Sequence, residues 1–491
     1  MTVYFINEGL SELASGIEKA QIYRATLFRA HNVQFKLLTS NFLPNLHSTL
    51  ATFNLVDAES VNLFDYFQHA LLVKSTIIKP EDADFGVDVM LKQNTDTEYF
   101  ATVKDQLVGR IQVNAMGHVE RLEYFDGFGN LYRTTTYDSR GFKSMSQLYS
   151  PDNQVEVEIW YDMTGRIAIE KTFSRTTHGN QIETWKIDNL LFHNFAEVRG
   201  YFYNCLNAVG ENMFIMNRTN GSEWQLAKLE RPAYIILMLH NHHSSDDQDP
   251  TAEILNDNYE WSLANMDQWN CVVSATPQQT LDVSIRWKNV TKYFTVPVGV
   301  IQDDALQQVH IPMKQRQTHS MLVTARVAAE KGINKMIQAL AIARQSIPDL
   351  TLDIYGYVDD TNNHLAMNLI EKSLPDLDDQ SAVTFHDFTP DVPSLHEQYQ
   401  VYLVYSRMEG FNLALMEALS SGMVGLTNHV NYGPTELIKS GQNGAITEYD
   451  DVAQYAAKMV ELFQNSDQLQ EMSENAYRLS NRYSSANVWR A

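Results

Sequence analysis

Ser406-Arg407-Met408-Glu409-Gly410-Phe411-Asn412-Leu413-Ala414-Leu415-Met416-Glu417-Ala418 is the stretch whose reading settles the architecture. The apolar run 401–405 before it reads as a buried strand, and 413–420 as a helix. A Gly-containing loop joins them. Strand, short loop and helix start are the parts of a βαβ unit, so the segment points to a parallel α/β sheet. Backbone N–H groups at such a helix start suit a phosphate. Glu409 falls in the loop at the carboxyl edge of the sheet, where α/β proteins place ligands. Glu417 lies deeper in the helix, within reach of a bound nucleotide's ribose. A solvated Glu ahead of an ordinary amphipathic helix leaves the same pattern, so the stretch needs its surroundings to carry weight.

Those surroundings repeat the α/β pattern. Strands are expected at 321–325, 351–356, 382–386 and 401–405, and helices at 332–345, 365–372, 413–420 and within 452–480. Arg326 closes the first of these strands, and Lys331 follows in the turn before a helix. Two cations there can neutralise a diphosphate leaving group without a metal. Taken singly, each also reads as an ordinary surface cation.

The chain opens in the same style, with a strand at 3–6, a helix at 17–31 and a strand at 33–38. Gly16 starts that helix and permits close backbone approach to a ligand, although a plain flexible turn would use it too. Buried strands are expected again at 234–239 and 271–274, and 293–300 ends in the turn-like Val296-Pro297-Val298-Gly299-Val300. His240-Asn241-His242-His243 follows the strand 234–239. Hydrogen bonding to a sugar or phosphate is favoured there over zinc, because no carboxylate spacing completes a metal site. Asp247-Gln248-Asp249 is an Asp-x-Asp, but chance carboxylate pairs are expected in so acidic a chain.

Between these blocks the helical period fades. Phe125, Tyr137, Tyr149 and Tyr161 recur every twelve residues, each followed by a turn signal such as Asp126-Gly127-Phe128-Gly129. The spacing predicts an antiparallel β-meander. Residues 101–190 hold ten Lys/Arg against twelve Asp/Glu, while the whole chain carries −23. The insert is thus the least acidic large piece and a candidate acceptor or partner surface.

At 491 residues the chain is too long for one core, and 44% hydrophobic with 20% charged residues is the balance of a globular protein. The acidity excludes non-specific nucleic-acid binding and allows at most peripheral membrane contact. Cys205 and Cys271 cannot build a disulfide framework. The first residues have no basic n-region, and the longest apolar run, 233–239, is far below the roughly 20 residues of a span. A cytoplasmic protein is expected. Gly-x-Gly-x-x-Gly, the Gly-Lys-Ser/Thr phosphate loop, cysteine metal spacings and the Gly-x-Ser-x-Gly elbow are all missing, which disfavours the enzymes that carry them.

Together Arg326…Lys331, Glu409…Glu417, Tyr432-Gly433-Pro434-Thr435-Glu436 and Gly441-Gln442-Asn443-Gly444 resemble retaining GT-B glycosyltransferases of family four. The start, with Ser15-Gly16-Ile17-Glu18, and the β-insert resemble a Gram-positive subgroup. It holds the catalytic subunit that adds N-acetylglucosamine to serine-rich adhesins, and the wall teichoic acid α-glycosyltransferases. The resemblance implies two Rossmann-like domains facing a cleft. Residues 1–78 with 196–300 would form the acceptor domain, 79–195 the inserted β-sheet and 301–475 the donor domain. Residues 476–491 would form a helix crossing back to the first domain. It also implies roles. Arg326 and Lys331 would hold the donor diphosphate, Glu409 the sugar hydroxyls and Glu417 the ribose. Gly16 and the helix start at Asn412 and Leu413 would meet phosphates, His242 the catalytic pocket and Phe388 the base. Two departures stand out: Asn412 replaces the usual Gly, and Ser421-Gly422-Met423-Val424-Gly425 lacks the usual Pro.

The function so implied is transfer of N-acetylglucosamine or glucose from a UDP-sugar to a hydroxyl, with no metal or other cofactor. The acceptor is Ser/Thr of a surface adhesin or, alternatively, poly(glycerol/ribitol-phosphate) teichoic acid. A homo-oligomer or a homologous co-subunit would use the β-insert. A non-catalytic, acceptor-binding subunit is the competing reading, and retention of all four charged positions argues against it.

Overall fold

The computed structural model describes residues 1–175, 181–219, 221–288, 290–359 and 361–491. Three sheets organise them. A seven-stranded sheet runs in the spatial order Lys292–Thr295, Cys271–Ser274, Tyr234–Leu239, Asn212–Met216, Thr2–Asn7, Phe35–Thr39, Ser60–Asn62. Its strands read as near-continuous apolar runs, such as the fully buried Phe5 and Ile6, as strands covered on both faces do. The strand Lys292–Thr295 stops ahead of the turn-like 296–300, where Pro297 cannot donate to a ladder.

The chain divides into two compact units, Met1–Glu18 with Asn32–Ile236 and Lys19–His31 with Leu237–Ala491. In the first unit the insert is a ten-stranded antiparallel meander from Met90–Thr95 to Leu190–Phe192, in sequence order throughout. The twelve-residue period is a seven-residue strand plus a five-residue turn. Strands start at Val119, Leu131, Lys143, Val155 and Ile167. In three of the turns an Asp carbonyl accepts from a Gly three residues on, and those glycines, Gly129, Gly141 and Gly165, have φ of 86°, 89° and 82°. The fourth turn puts Asn153 there at φ 57°, the next residue after Gly to tolerate that conformation.

Buried contacts hold the meander to the α/β layer of the same unit. Trp160 stacks on Trp185 at 5.6 Å and meets Phe64 at 4.9 Å. Around them lies a charged network. His47 pairs through Nδ1 with Asp57 (2.7 Å) and through Nε2 with Asp65 (2.9 Å). Arg140, from a meander turn, pairs with Asp65 (3.0 Å) and Asp138 (2.7 Å) and donates to the Ala70 carbonyl. Ligand atoms of His47, Asp65 and Asp138 lie within 4.8 Å of one another, but the Arg140 guanidinium already supplies their cation.

In the second unit a six-stranded parallel sheet has the order Val383–His386, Thr351–Tyr355, Ser320–Thr324, Val401–Val404, Val424–Asn428, Gly444–Thr447. From Ser320–Thr324 the chain winds outward to one edge. It then returns to lay Val401–Val404 on the other side of that first strand and winds to the opposite edge. The carboxyl ends of these two strands therefore flank the topological switch point, where open α/β sheets bind ligands. The core beneath is apolar, with Met321, Ile337, Leu340, Ile354, Leu403 and Leu426 among its members. The helical stretch expected within 452–480 is two helices, Val452–Gln464 and Ser466–Ser480, parted at Asn465, whose side chain caps the second.

Candidate active site

The loops leaving the two switch-point strands carry the charged residues singled out above. After Ser320–Thr324 the chain makes a short 3₁₀ turn, Ala329–Lys331, ending in Gly332 at φ 63°. A Cβ on Gly332 would lie 2.3 Å from the Tyr405 carbonyl oxygen, so only Gly lets this turn rest against the end of the neighbouring strand. That approach delivers Lys331 to Glu409, with Nζ 2.7 Å from Oε1. Ser406 Oγ donates to the same oxygen at 2.7 Å, and Asn412 Nδ2 at 3.3 Å. Glu409 is largely buried. Three donors thus converge on Oε1, and Oε2 accepts from none of the described residues.

Asn412 has φ 70° and caps the helix Leu413–Ser420, its side chain accepting from Leu415 N at 3.0 Å. Position 412 is thus left-handed, and Asn meets that demand better than other side chains except Gly. Leu413 and Ala414 open the helix with N–H groups not taken by the cap. One turn on, Glu417 Oε1 accepts from Tyr23 OH at 2.6 Å.

Arg326 is engaged otherwise. Its guanidinium pairs with Asp359 and with Glu330. Glu330 also links the two loops, its carbonyl accepting from Arg407 N at 2.8 Å. Phe388 is 44% exposed just past Val383–His386, beside a His386–Asp353 pair of 2.6 Å. Gly16 opens the helix Gly16–Ala30, and an added Cβ there would meet nothing within 4 Å.

His242 is fully buried. Its Nδ1 lies 3.1 Å from both Ser244 N and the Ser244 carbonyl oxygen, and Nε2 has no partner among the described residues. Burial holds its pKa below the usual histidine range. The ring stacks on Tyr432 at 5.0 Å, and Tyr432 N donates to the Glu409 carbonyl at 2.9 Å, so one residue ties the histidine segment to the glutamate loop. The histidines do not gather round a metal. His243 Nε2 faces the Pro250 carbonyl at 3.0 Å, and burial together with His242 lowers its pKa to about 4. The Asp-x-Asp carboxylates likewise diverge. Asp247 takes Arg407 (2.6 Å) and Tyr449 (2.9 Å), while Asp249 accepts from Thr251.

Sequence reasoning overlooked Ser406, Tyr23 and Glu330 as partners of the site. Ser406 stands three residues before Glu409 in the quoted loop, which was signal enough. Tyr23 lies almost 400 residues from Glu417, and nothing in the sequence joins them.

Comparisons with known proteins bear on the family and the fold. Residues 308–479, which hold Arg326, Lys331, Glu409 and Glu417, match the family described as glycosyl transferases group 1. The UDP-N-acetylglucosamine–peptide N-acetylglucosaminyltransferase GtfA subunit of Streptococcus gordonii is 25% identical over 99% of this chain and 97% of its own. The poly(glycerol-phosphate) alpha-glucosyltransferase of Bacillus subtilis is 22% identical over 99% of this chain and 73% of its own. The crystal structure of the pneumococcal O-GlcNAc transferase GtfA in complex with UDP and GlcNAc superposes with a TM-score of 0.86. The identity is 23%, covering all of this chain and 97% of that one. The fold is GT-B, with the antiparallel sheet inserted. No helix among the described residues is long and apolar enough to cross a membrane.

Proposed function

We propose that the chain, whose residues 308–479 match the glycosyl transferases group 1 family, is a glycosyltransferase that moves N-acetylglucosamine or glucose from a UDP-sugar to a hydroxyl with retention and without a metal. The observation that carries this reading is the Glu409 carboxylate. Three donors fix one oxygen, and the other is free to accept from a sugar hydroxyl. Lys331, paired with Glu409, and Arg326, paired with Asp359 and Glu330, stand at the switch point and are assigned to the diphosphate. The free N–H groups at Leu413 suit its oxygens. Glu417 takes the ribose and Phe388 lies against the base.

In the reaction the bond from the anomeric carbon to the β-phosphate oxygen breaks as the acceptor oxygen bonds to the same face of that carbon. The acceptor proton passes to the departing phosphate. No protein base is then needed, and the protein supplies orientation and charge stabilisation. Lys331 and Arg326 stabilise the charge that develops on UDP. His242 Nε2, buried and without a partner among the described residues, is assigned to the same pocket.

The acceptor is Ser/Thr of a polypeptide. The named activity of the full-length GtfA relative supports this. So does the charge of −23, which disfavours a polyanionic acceptor. A homologous co-subunit meeting the β-insert fits the word subunit in that relative's name. The second reading, a polyol-phosphate acceptor, rests on the Bacillus subtilis relative. The purified protein, with chelator present, is given UDP-N-acetylglucosamine or UDP-glucose and either a Ser/Thr-rich peptide or polyol phosphate. UDP release and an α-linked peptide product, both lost in Glu409→Gln, are expected. Donor binding without turnover under every acceptor and partner condition would instead favour a non-catalytic subunit.

A further inference from the structure

We infer that Asn412 is a positioning residue for Glu409, fixing which carboxylate oxygen is offered to the donor sugar. The inference rests on the donor-site reading above and adds a role for the Asn412 side chain.

The argument begins at the amide. Asn412 Oδ1 accepts from Leu415 N, an obligatory donor, so the amide cannot be turned over, and Nδ2 must face Glu409. One side chain therefore joins the start of the helix Leu413–Ser420 to the buried carboxylate. Lys331 and Ser406 approach the same Oε1 at 2.7 Å each. Lys331 comes from the turn after the strand Ser320–Thr324, and Ser406 from the end of the strand Val401–Val404. Asn412 comes from the helix, so three separate elements hold one oxygen. A carboxylate gripped by one oxygen through three such anchors cannot swing, and Oε2 is the atom presented. With Gly at this position the backbone keeps its left-handed turn, but the third anchor and the link to the helix are lost. Preorganisation of this kind acts where charge and hydroxyl orientation change on the way to the transition state, so it appears in kcat more than in KM.

Three variants separate this role from plain helix capping. Asn412→Gly, Asn412→Asp and Glu409→Gln are compared with wild type, with kcat and KM for UDP release on the donor that wild type turns over. Both Gly and Asp tolerate φ 70°, so folding is retained, and thermal unfolding checks it. Capping alone ranks Asp equal to Asn and above Gly, because Asp keeps an oxygen for Leu415 N. Positioning reverses that order, because Asp sets a second carboxylate against Oε1 of Glu409. The expected result is a kcat about tenfold lower in Asn412→Gly and lower still in Asn412→Asp, with KM changed less than threefold. Asn412→Asp matching wild type while Glu409→Gln is inactive overturns the positioning role alone. Glu409→Gln turning over like wild type overturns the donor-site reading itself.

Discussion

Lys331 Nζ lies 2.7 Å from Glu409 Oε1, although 78 residues separate them in sequence. The contact joins the loops that leave the two central strands of the six-stranded sheet. The Glu409 side chain is only 10% exposed and that of Lys331 24%. Removing Lys331 strands a nearly buried carboxylate. Lys331→Met should cost about 2 kcal/mol, below the full penalty for a buried pair because water still reaches the lysine. Turnover should fall about 100-fold through loss of charge stabilisation. Adding Glu409→Gln should restore much of the thermal midpoint and none of the turnover. A double variant that regains activity would mean the pair is structural only.

Tyr23 and Glu417 give a second case. The phenol donates to Oε1 at 2.6 Å, and burial, then Glu417 itself, raises the tyrosine pKa, so the proton stays on the phenol. Tyr23→Phe keeps the ring and deletes one hydrogen bond to the carboxylate assigned to the ribose. A net bond of about 0.5–1.5 kcal/mol corresponds to roughly a two- to tenfold rise in KM for the UDP-sugar, with kcat kept. Titration of UDP by calorimetry reads the same loss. An unchanged UDP affinity would remove Tyr23 from the site.

In the first unit, His47 makes stability depend on pH. Both ring nitrogens face carboxylates, Asp57 and Asp65, and Arg140 faces the same Asp65. Burial pushes the His47 pKa down and Arg140 opposes its charge, but the bonds to Asp65 and Asp57 prevail and the net shift is upward. A histidine raised on folding contributes its stabilisation fully below its unfolded value, near 6.5, and loses it as pH rises through the folded value. Unfolding of the wild type should therefore become easier as pH climbs above about 6.5. The slope cannot exceed one proton, about 1.4 kcal/mol per pH unit. His47→Gln should flatten it. Thermal midpoints between pH 6 and 9 make the comparison, and parallel curves for both proteins would assign the dependence to other groups.

What the sequence made legible follows the range of the interactions involved. The parallel sheets were visible because their buried strands are unbroken apolar runs, and the meander because Asp-x-x-Gly turns recur every twelve residues. Arg326, Lys331, Glu409 and Glu417 were visible because strand ends and helix starts are local signals. The use made of them was not. Arg326 is taken by Asp359 and Glu330, Glu417 by Tyr23, and Asp247 by Arg407 and Tyr449. Most of these partners are chosen by tertiary approach, and periodicity carries no record of that. The same holds for His47, Asp65 and Arg140, three scattered residues that become one network only when a meander turn docks on the α/β layer.

Gly410 sets a close backbone approach at the site. A Cβ added to it would lie 1.9 Å from the His240 carbonyl oxygen and 2.4 Å from its carbon. Both are backbone atoms, so no side chain can swing aside, and either the glutamate loop or the histidine segment must move. Tyr432 couples the two, stacking on His242 and donating to the Glu409 carbonyl. A shift at either loop is therefore shared by Glu409 and His242. Gly410→Ala should fold, because the sheet core beneath is untouched, yet lose about 100-fold in turnover, the cost of misplacing reacting groups by about 1 Å. Gly16→Ala is the contrasting variant. Its new methyl group meets nothing within 4 Å, so the thermal midpoint should hold or rise slightly as the unfolded chain loses freedom. Any loss of UDP affinity in it would then report contact with the ligand rather than damage to the fold. Gly410→Ala with wild-type turnover would show that the two loops act independently.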